Sequence, residues 1–466
     1  TAAGITRLGP LTENNVTAIG GQIAAQWRPT EQLTFKSITA YREDHSKSPI
    51  DFDSTAARSF DAPVIYENHQ FSQEVQVNYE GKKLNLVAGA YYLAANAYNV
   101  FDVVFTNVTS LTLGDVDTRT WAVFGEASYD LTDELSLTVG GRYTEDERRS
   151  HIIRQTFLGV NSPYFGNTSA VSLTPPVIVD GQEVVPNFYG KRTDSKFTPR
   201  VILAWQPDRD LNLYASYSQG FKGGGFDPRG DYSNADVRKG FLPESVKSYE
   251  AGVKATLFDG RATANTAVFH MDYTDVQIPG SVIIPGPPVS FKGTVTNAGK
   301  AKLDGVEFEG AARLTDHLRA QLSVGYIDAR YTRFLLNGVD VSDQRDVQNT
   351  PDWTGAGSLT YTTPLALFGR EGTFAIGGQA SYRSKTQQFE QAAPNNLDQP
   401  AYWLLDAQAS WTSEDDHWRI AGYGRNLANK HYVTSYYYFP GAATDNSVLA
   451  FYGNPRTFTV SLEYRY

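Results

Sequence analysis

The side chains best suited to metal binding or proton transfer are seven histidines, at positions 45, 69, 151, 270, 317, 417 and 431. They are scattered. No H-E-x-x-H pair occurs and the chain has no cysteine, so neither a metal site nor a cofactor is expected. A serine nucleophile would need a G-x-S-x-G elbow, and "ASYSQG" around Ser218 lacks its first glycine. "GFKGGGF" at 220–226 has neither the spacing nor the following Ser/Thr of a phosphate loop; its glycines are expected to let a long loop turn sharply. Catalysis is therefore not expected. Binding is better supported. Tyr436, Tyr437, Tyr438 and Phe439 stand together in "TSYYYFP", and aromatic clusters hold bulky ligands through contact area at low entropic cost. Lys222, Asp227 and Arg229 add charge in a glycine-rich stretch. An aromatic membrane belt and ordinary solvated loop charge would account for the same residues.

These side chains need a frame. The 466 residues include 28 Tyr, 25 Phe and 40 Gly but one Met and no Cys. Tyr, Phe, Thr and Val are strand formers, whereas Met and Cys are usual in a helical cytosolic core. Absence of cysteine also suits an oxidising compartment. No stretch approaches the roughly 18 apolar residues of a membrane helix, which leaves a membrane barrel open, because a barrel's signal is alternation. A net charge of −10 provides no basic stripe for phosphates, so no nucleic-acid partner is expected.

Turn signals divide the chain unevenly. Short polar turns fall at 28–32, 80–82, 131–134, 206–210, 258–260, 315–317 and 413–416, each joining two alternating segments as a hairpin does. Between them lie long Gly-, Pro- and Asn-rich stretches near 44–65, 99–116, 147–191, 221–243, 278–298, 334–350, 385–400 and 427–454. This rhythm predicts about 17 strands, many of about 11–16 residues, against about 5–6 in ordinary globular sheets. There is no fixed repeat, which argues against a propeller. Strands this long argue against a soluble sandwich.

Alternation gives each strand two unlike faces. Leu135, Leu137, Val139 and Tyr143 oppose Ser136, Thr138 and Arg142. Trp27, Trp121, Trp205, Trp353, Trp403, Trp411 and Trp418 all fall on the apolar side, near strand ends, as two interfacial belts require. The opposite side carries Glu126, Arg142, Arg200, Glu250, Lys254, Glu307, Glu309, Arg313, Arg319, Arg419, Arg425, Glu463 and Arg465. A Lys or Arg turned to lipid at the midplane costs about 2–4 kcal/mol, so this set is expected to line the lumen. The reading is an outer-membrane, antiparallel, up-and-down β-barrel with short periplasmic turns and long extracellular loops.

"KFTPRVILAWQPDRDLNLYASYSQGFKGGGFDP" (196–228), "PESVKSYEAGVKATLFDGRATANTAVFHMDYTDVQ" (243–277) and "NAGKAKLDGVEFEGAARLTDHLRAQLSVGYIDARYT" (297–332) resemble the barrel of TonB-dependent outer-membrane receptors. "DAQASWTSEDDHWRIAGYGRNLANKHYVTS" (406–435) and "GNPRTFTVSLEYRY" (453–466) resemble the end of that barrel. The resemblance implies a 22-stranded barrel with a plugged lumen. It implies energy from the TonB complex, outer-membrane lipid around the wall, and a scarce ligand such as a ferric siderophore as cargo. Phe458, Val460, Leu462, Tyr464 and Tyr466 match the family's closing strand, which pairs with the first strand and is read by the barrel-assembly machinery.

Against that pattern, residues 1–15 read as the end of an extracellular loop and 16–466 as a partial barrel of about 17 strands. The plug and TonB-engaging segment are not recognisable, and no signal peptide is present, so either a leader has been removed or the chain begins partway through a longer protein. A passive porin-like channel or a ligand-binding adhesin barrel would share the same wall.

Overall fold

Polar turns delimit the segments, and alternation within each segment leaves its backbone groups free to pair sideways. The computed structural model describes residues 14–52, 60–284, 290–336, 339–388, 397–438 and 448–466. The first six strands are β1 (Asn15–Trp27), β2 (Leu33–Asp51), β3 (Asp61–Glu80), β4 (Leu84–Phe105), β5 (Val108–Asp130) and β6 (Leu135–Leu158). Short pieces β7 (Val171–Ser172), β8 (Val177–Val179) and β9 (Gln182–Val185) precede β10 (Asn187–Asp208) and β11 (Leu211–Lys222). A one-turn helix, α1 (Ala235–Arg238), leads to β12 (Glu244–Leu257), β13 (Ala262–Ile284), β14 (Ser290–Arg313) and β15 (Leu318–Leu336). Beyond β16 (Val339–Asp340) come β17 (Trp353–Pro364), β18 (Gly372–Arg383), β19 (Tyr402–Ser413) and β20 (Trp418–Arg425). A loop hairpin, β21 (Val433–Tyr438) with β22 (Val448–Tyr452), precedes β23 (Thr457–Tyr464).

One 19-stranded sheet contains all of these strands except the hairpins β8–β9 and β21–β22. Setting aside the two-residue β7 and β16 leaves 17 long strands, each antiparallel to the next in chain order, with β6 meeting β10, β15 meeting β17 and β20 meeting β23. This is the up-and-down order of a barrel wall. Among the described residues β1 pairs only with β2, and β23 only with β20, so no ladder joins the last strand to the first. The sheet nevertheless curls. Tyr437, in the hairpin between β20 and β23, meets Phe52 at the tip of β2 with ring centroids 6.4 Å apart, although these lie near opposite ends of the strand order.

Strands run longer than anticipated. β3 to β6, β10, β13 and β14 have 20–24 residues. The expected loop at 99–116 is strand almost throughout: β4 and β5 meet at Thr106 and Asn107, with Thr106 at φ 53°. The pairing persists because these tips have cores of their own. Val100, Leu111, Leu113, Phe157 and Phe165 cluster on one side of the β4–β5–β6 tip, and Phe60, Val103 and Phe105 form a second cluster. About nine to eleven residues suffice for a tilted strand to cross hydrocarbon, so the remainder projects beyond it.

Register carries one parity across the whole sheet. Trp27 opposes Phe35, Phe35 opposes Val77, Val77 opposes Ala88, and Ala88 opposes Gly125. On this face aromatic rings form two rows. One includes the stacked Trp27–Phe35 pair, Tyr79, Tyr129, Trp205, Tyr361 and the Trp418–Tyr464 pair. The other includes Phe71, Trp121, Phe197, and the pairs Tyr217–Tyr249, Tyr326–Trp353 and Tyr382–Trp403, whose centroids are 4.7–5.1 Å apart. Phe71 to Tyr79, Trp121 to Tyr129, Phe197 to Trp205 and Trp353 to Tyr361 each span the same interval, about 27 Å along a strand.

Candidate functional site at the loop end

The segment from 223 to 243 leaves β11 and folds back over the face opposite the aromatic rows. Gly223, Gly224 and Gly225 serve close packing, not the sharp turn expected of them, since none of the three has positive φ. A Cβ on Gly223 would lie 2.3 Å from Asp146 Oδ2, and one on Gly224 2.3 Å from the Phe241 carbonyl oxygen. The Gly224 N–H donates to Asp194 at 3.0 Å, and Asp194 also takes two 2.7 Å bonds from Arg192. Phe226 and Tyr232 then pack with Ile152 and Phe188, the Phe188 and Tyr232 rings stacking at 3.9 Å. Burial, with Asp227 nearby, pushes the Tyr232 phenol well above its usual pKa, so it stays a neutral donor to the Asp227 carbonyl at 2.7 Å.

This geometry revises the expected role of the charges. Asp227 is buried and takes two bonds from the Arg229 guanidinium, at 2.8 and 3.0 Å, so both charges are committed to a pair within the segment and do not form a free ligand surface. The tie to the wall here is the Gly293 N–H, which donates to the Arg229 carbonyl at 2.9 Å. Lys222 remains exposed at the end of β11. A Cβ on Gly293 of β14 would meet Arg229, and one on Gly114 of β5 would meet Pro228. The segment therefore reaches from β5 to β14 across the mouth.

Tyr436, Tyr437 and Tyr438 lie on β21, opposite Ala450, Leu449 and Val448. Phe439 falls outside the described residues. Tyr437 is half exposed and touches Phe52 and Phe451 edge-on, while Tyr436 and Tyr438 are less exposed. Behind Phe52 stand Phe60 and Phe105, stacked at 5.2 Å. These three phenylalanines were not anticipated as mouth residues. Their concentration in the 44–65 and 99–116 stretches was the available signal.

Below the mouth, register puts twelve of the thirteen anticipated wall residues on one face, opposite the tryptophans, while Arg465 lies just past the end of β23. Arg200 pairs with Glu126 at 3.4 Å across Gly140, where any side chain would crowd Glu126. The Tyr214 hydroxyl donates to Glu250 at 2.6 Å, and Lys254 sits 5.7 Å from the same ring. Arg142 lies over Tyr91 and Phe124, Arg419 donates to the Tyr423 hydroxyl at 3.1 Å, and Glu463 binds Arg465 at 2.9 Å. Glu307, Glu309, Arg313, Arg319 and Arg425 are exposed on the same face.

Trp27, Trp121, Trp205, Trp353 and Trp403 are exposed on the other face, and Trp418 is partly so. Trp121 stands mid-strand because β5 continues past it. Trp411 departs from the expected belt: it is 4% exposed and its indole N–H donates to the Leu365 carbonyl at 2.7 Å, under the β17–β18 connection. Phe458, Val460, Leu462, Tyr464 and Tyr466 are exposed. Among the described residues no group of three or more His, Asp or Glu could hold a metal ion. The arrangement can grip and filter, through aromatic area and paired charges.

A sequence profile described as "TonB dependent receptor-like, beta-barrel" matches residues 5–427. The metal-pseudopaline receptor CntO of Pseudomonas aeruginosa (strain UCBPP-PA14) is 28% identical over 280 residues, 59% of this chain and 34% of that protein. The pesticin receptor of Yersinia pestis is 23% identical over 432 residues, 89% of this chain and 54% of that protein. The ferric yersiniabactin uptake receptor FyuA from Yersinia pestis shares the fold, with a TM-score of 0.74 at 18% identity, over 96% of this chain and 61% of that structure. The copper transporter OprC gives a TM-score of 0.70 at 13% identity, over 97% and 66%. The chain spans about a third to a half of the length of these curated relatives. Proteins of this kind are transport receptors, not enzymes, and reside in the outer membrane of Gram-negative bacteria. With the profile matching most of its length and the sheet built as described, the chain belongs to the TonB-dependent receptor family and forms part of its β-barrel.

Proposed function

We propose that this barrel takes up a scarce metal chelate, with a ferric siderophore as its cargo, using energy from the TonB complex. The carrying observation is the mouth: a segment held by the Gly224 N–H on Asp194 and by the Gly293 N–H on the Arg229 carbonyl crosses it, beside aromatic rings from the tip of β2, from β4 and from the β21–β22 hairpin. A passive pore has no use for so obstructed an entrance, whereas a receptor that captures first and transports later does. Names of relatives support the ligand class, since they include receptors for metal-pseudopaline and ferric yersiniabactin. In this reading the face carrying Glu126 and Arg200 is the lumen. The two aromatic rows are the interfacial belts, with outer-membrane lipid between them. The end of the chain, from Phe458 to Tyr466, presents the pattern read by the barrel-assembly machinery.

The test is uptake of labelled ferric siderophores by cells with and without the gene, before and after the proton gradient is collapsed. Gene-dependent uptake that stops while surface binding persists is expected. Uptake indifferent to the gradient, with steady conductance in planar bilayers, would instead mean a passive channel.

A further inference from the structure

The aromatic face of β12–β15 continues past the upper ring row as an ordered charged surface. Register stacks it in rows across the four strands. Nearest the apolar band come Tyr249, His270, Asp304 and Asp328. Next come Lys247, Asp272, Lys302 and Arg330, and then Ser245, Thr274, Lys300 and Arg333. Each row lies about 7 Å farther along the strands than the one before.

The carboxylates in this surface are already engaged. Asp304 binds His270 at 2.5 Å and Arg330 at 3.0 Å; Asp272 meets His270 at 3.2 Å and Lys302 at 3.6 Å; Asp328 binds Arg330. They hold the cations in place without cancelling them. Lys247, Lys300, Lys302, Arg330 and Arg333 outnumber the three aspartates, in a chain whose net charge is −10. The same face on β5 and β6 has the opposite balance: Asp115, Asp117, Glu145 and Glu147 stand there against Arg119 and Arg149. The excess of positive charge is thus local to one side of the sheet.

We propose that the β12–β15 face seats the phosphorylated headgroup of an outer-leaflet lipid, with phosphate between Lys247, Lys302 and Arg330 and further contact from Lys300 and Arg333. Two observations choose this occupant. The surface is continuous with the apolar band at Val268 and Val306, so acyl chains can lie below while the headgroup meets the cations. It also lies on the opposite face from the mouth segment, away from any cargo in the lumen. The inference rests on the outward assignment of the aromatic face made above, but not on TonB or the cargo.

The experiment titrates the purified protein in detergent with bisphosphorylated lipid A and with the same lipid after phosphate removal, reading bound lipid by native mass spectrometry. One Lys or Arg at an anionic lipid surface is worth about fivefold in affinity. The K247Q/K302Q/R330Q variant should therefore bind the phosphorylated lipid about a hundredfold more weakly. R119Q/R149Q, on the other side of the sheet, should change little, and added salt should weaken binding to the unaltered protein. If the triple variant does not fold, K247Q and K302Q singly should each lose about fivefold. Unchanged affinity in these variants, or equal binding of the phosphate-free lipid, would overturn the proposal. Equal binding of a lipid-free phosphorylated saccharide would overturn lipid as the occupant. Quenching of Trp121 and Trp353 fluorescence by brominated acyl chains tests the face assignment separately.

Discussion

Asp194→Ala should free the segment that crosses the mouth. The Asp194 carboxylate is 9% exposed and accepts from the Gly224 N–H and twice from Arg192, whose side chain is 17% exposed. Removing one partner of a largely buried pair costs about 3–5 kcal/mol, because the other charge is left uncompensated. The orphaned Gly224 N–H would by itself cost about 1–3 kcal/mol, a loss that overlaps the first and is not added to it. The loss falls on the contact between β10 and the segment, not on the barrel ladders, so it appears as local opening. At about 1.4 kcal/mol per decade, amides in 224–241 should exchange about a hundred to a few thousand times faster in deuterated buffer. Trypsin should then cut after Arg238 and Lys239, which stand in and beside α1. Replacing the pair by apolar groups, Arg192→Met with Asp194→Leu, should recover the part of the protection lost to the uncompensated Arg192 charge, but not the part lost to the unpaired Gly224 N–H. Exchange in Asp194→Ala matching the unaltered protein would refute the anchoring role, as would a double variant no better than the single one.

Three further outcomes follow from particular contacts. A Cβ at position 305 would sit 2.2 Å from Phe269 Cζ, so Gly305→Ala should cost about 1–3 kcal/mol in urea unfolding, and added Phe269→Leu should restore most of it. Tyr437→Ala removes edge contacts with Phe52 and Phe451, each worth about 0.5–1.5 kcal/mol. It should raise the half-saturating cargo concentration while leaving the maximal uptake rate unchanged; a lower maximal rate alone would argue against a capture role. In the β19–β20 turn, the Ser413 hydroxyl and the ring and backbone N–H of His417 hold the Asp415 carboxyl well below the usual range. A depressed folded-state value gives stabilisation that is complete above the unfolded value near pH ~4 and is lost as pH falls through the folded value. Asp415→Asn should thus loosen this turn at neutral pH and become indistinguishable only in strong acid. A carboxyl NMR titration showing ordinary protonation of Asp415 would contradict this.

Much of the wall was legible because period-two alternation leaves little choice of face. Leu135, Leu137 and Val139 could bury or face lipid only together, and a one-residue slip would have reversed every strand. Legibility faded where the strands leave the membrane. From Asn99 to Val116, Asp102, Thr106, Asn107, Gly114 and Asp115 break the alternation, because both faces there meet water or other loops. Pairing continues anyway, stabilised by Leu111, Leu113 and Phe157, which only the folded tips bring together. Tertiary contact likewise decided the role of the glycines at 223–225. Their neighbours Asp146 and Phe241 are distant in sequence from one another, so close approach and sharp turning look alike in one dimension. Trp411 is a third case. Its parity was readable, but the covering by the 365–371 connection was not.

The most direct test is energised uptake in whole cells carrying the natural gene. Labelled ferric siderophore should bind at the surface, enter only while the proton gradient stands, and remain bound outside when a protonophore is added. Entry that persists after the gradient has gone would contradict an energised receptor.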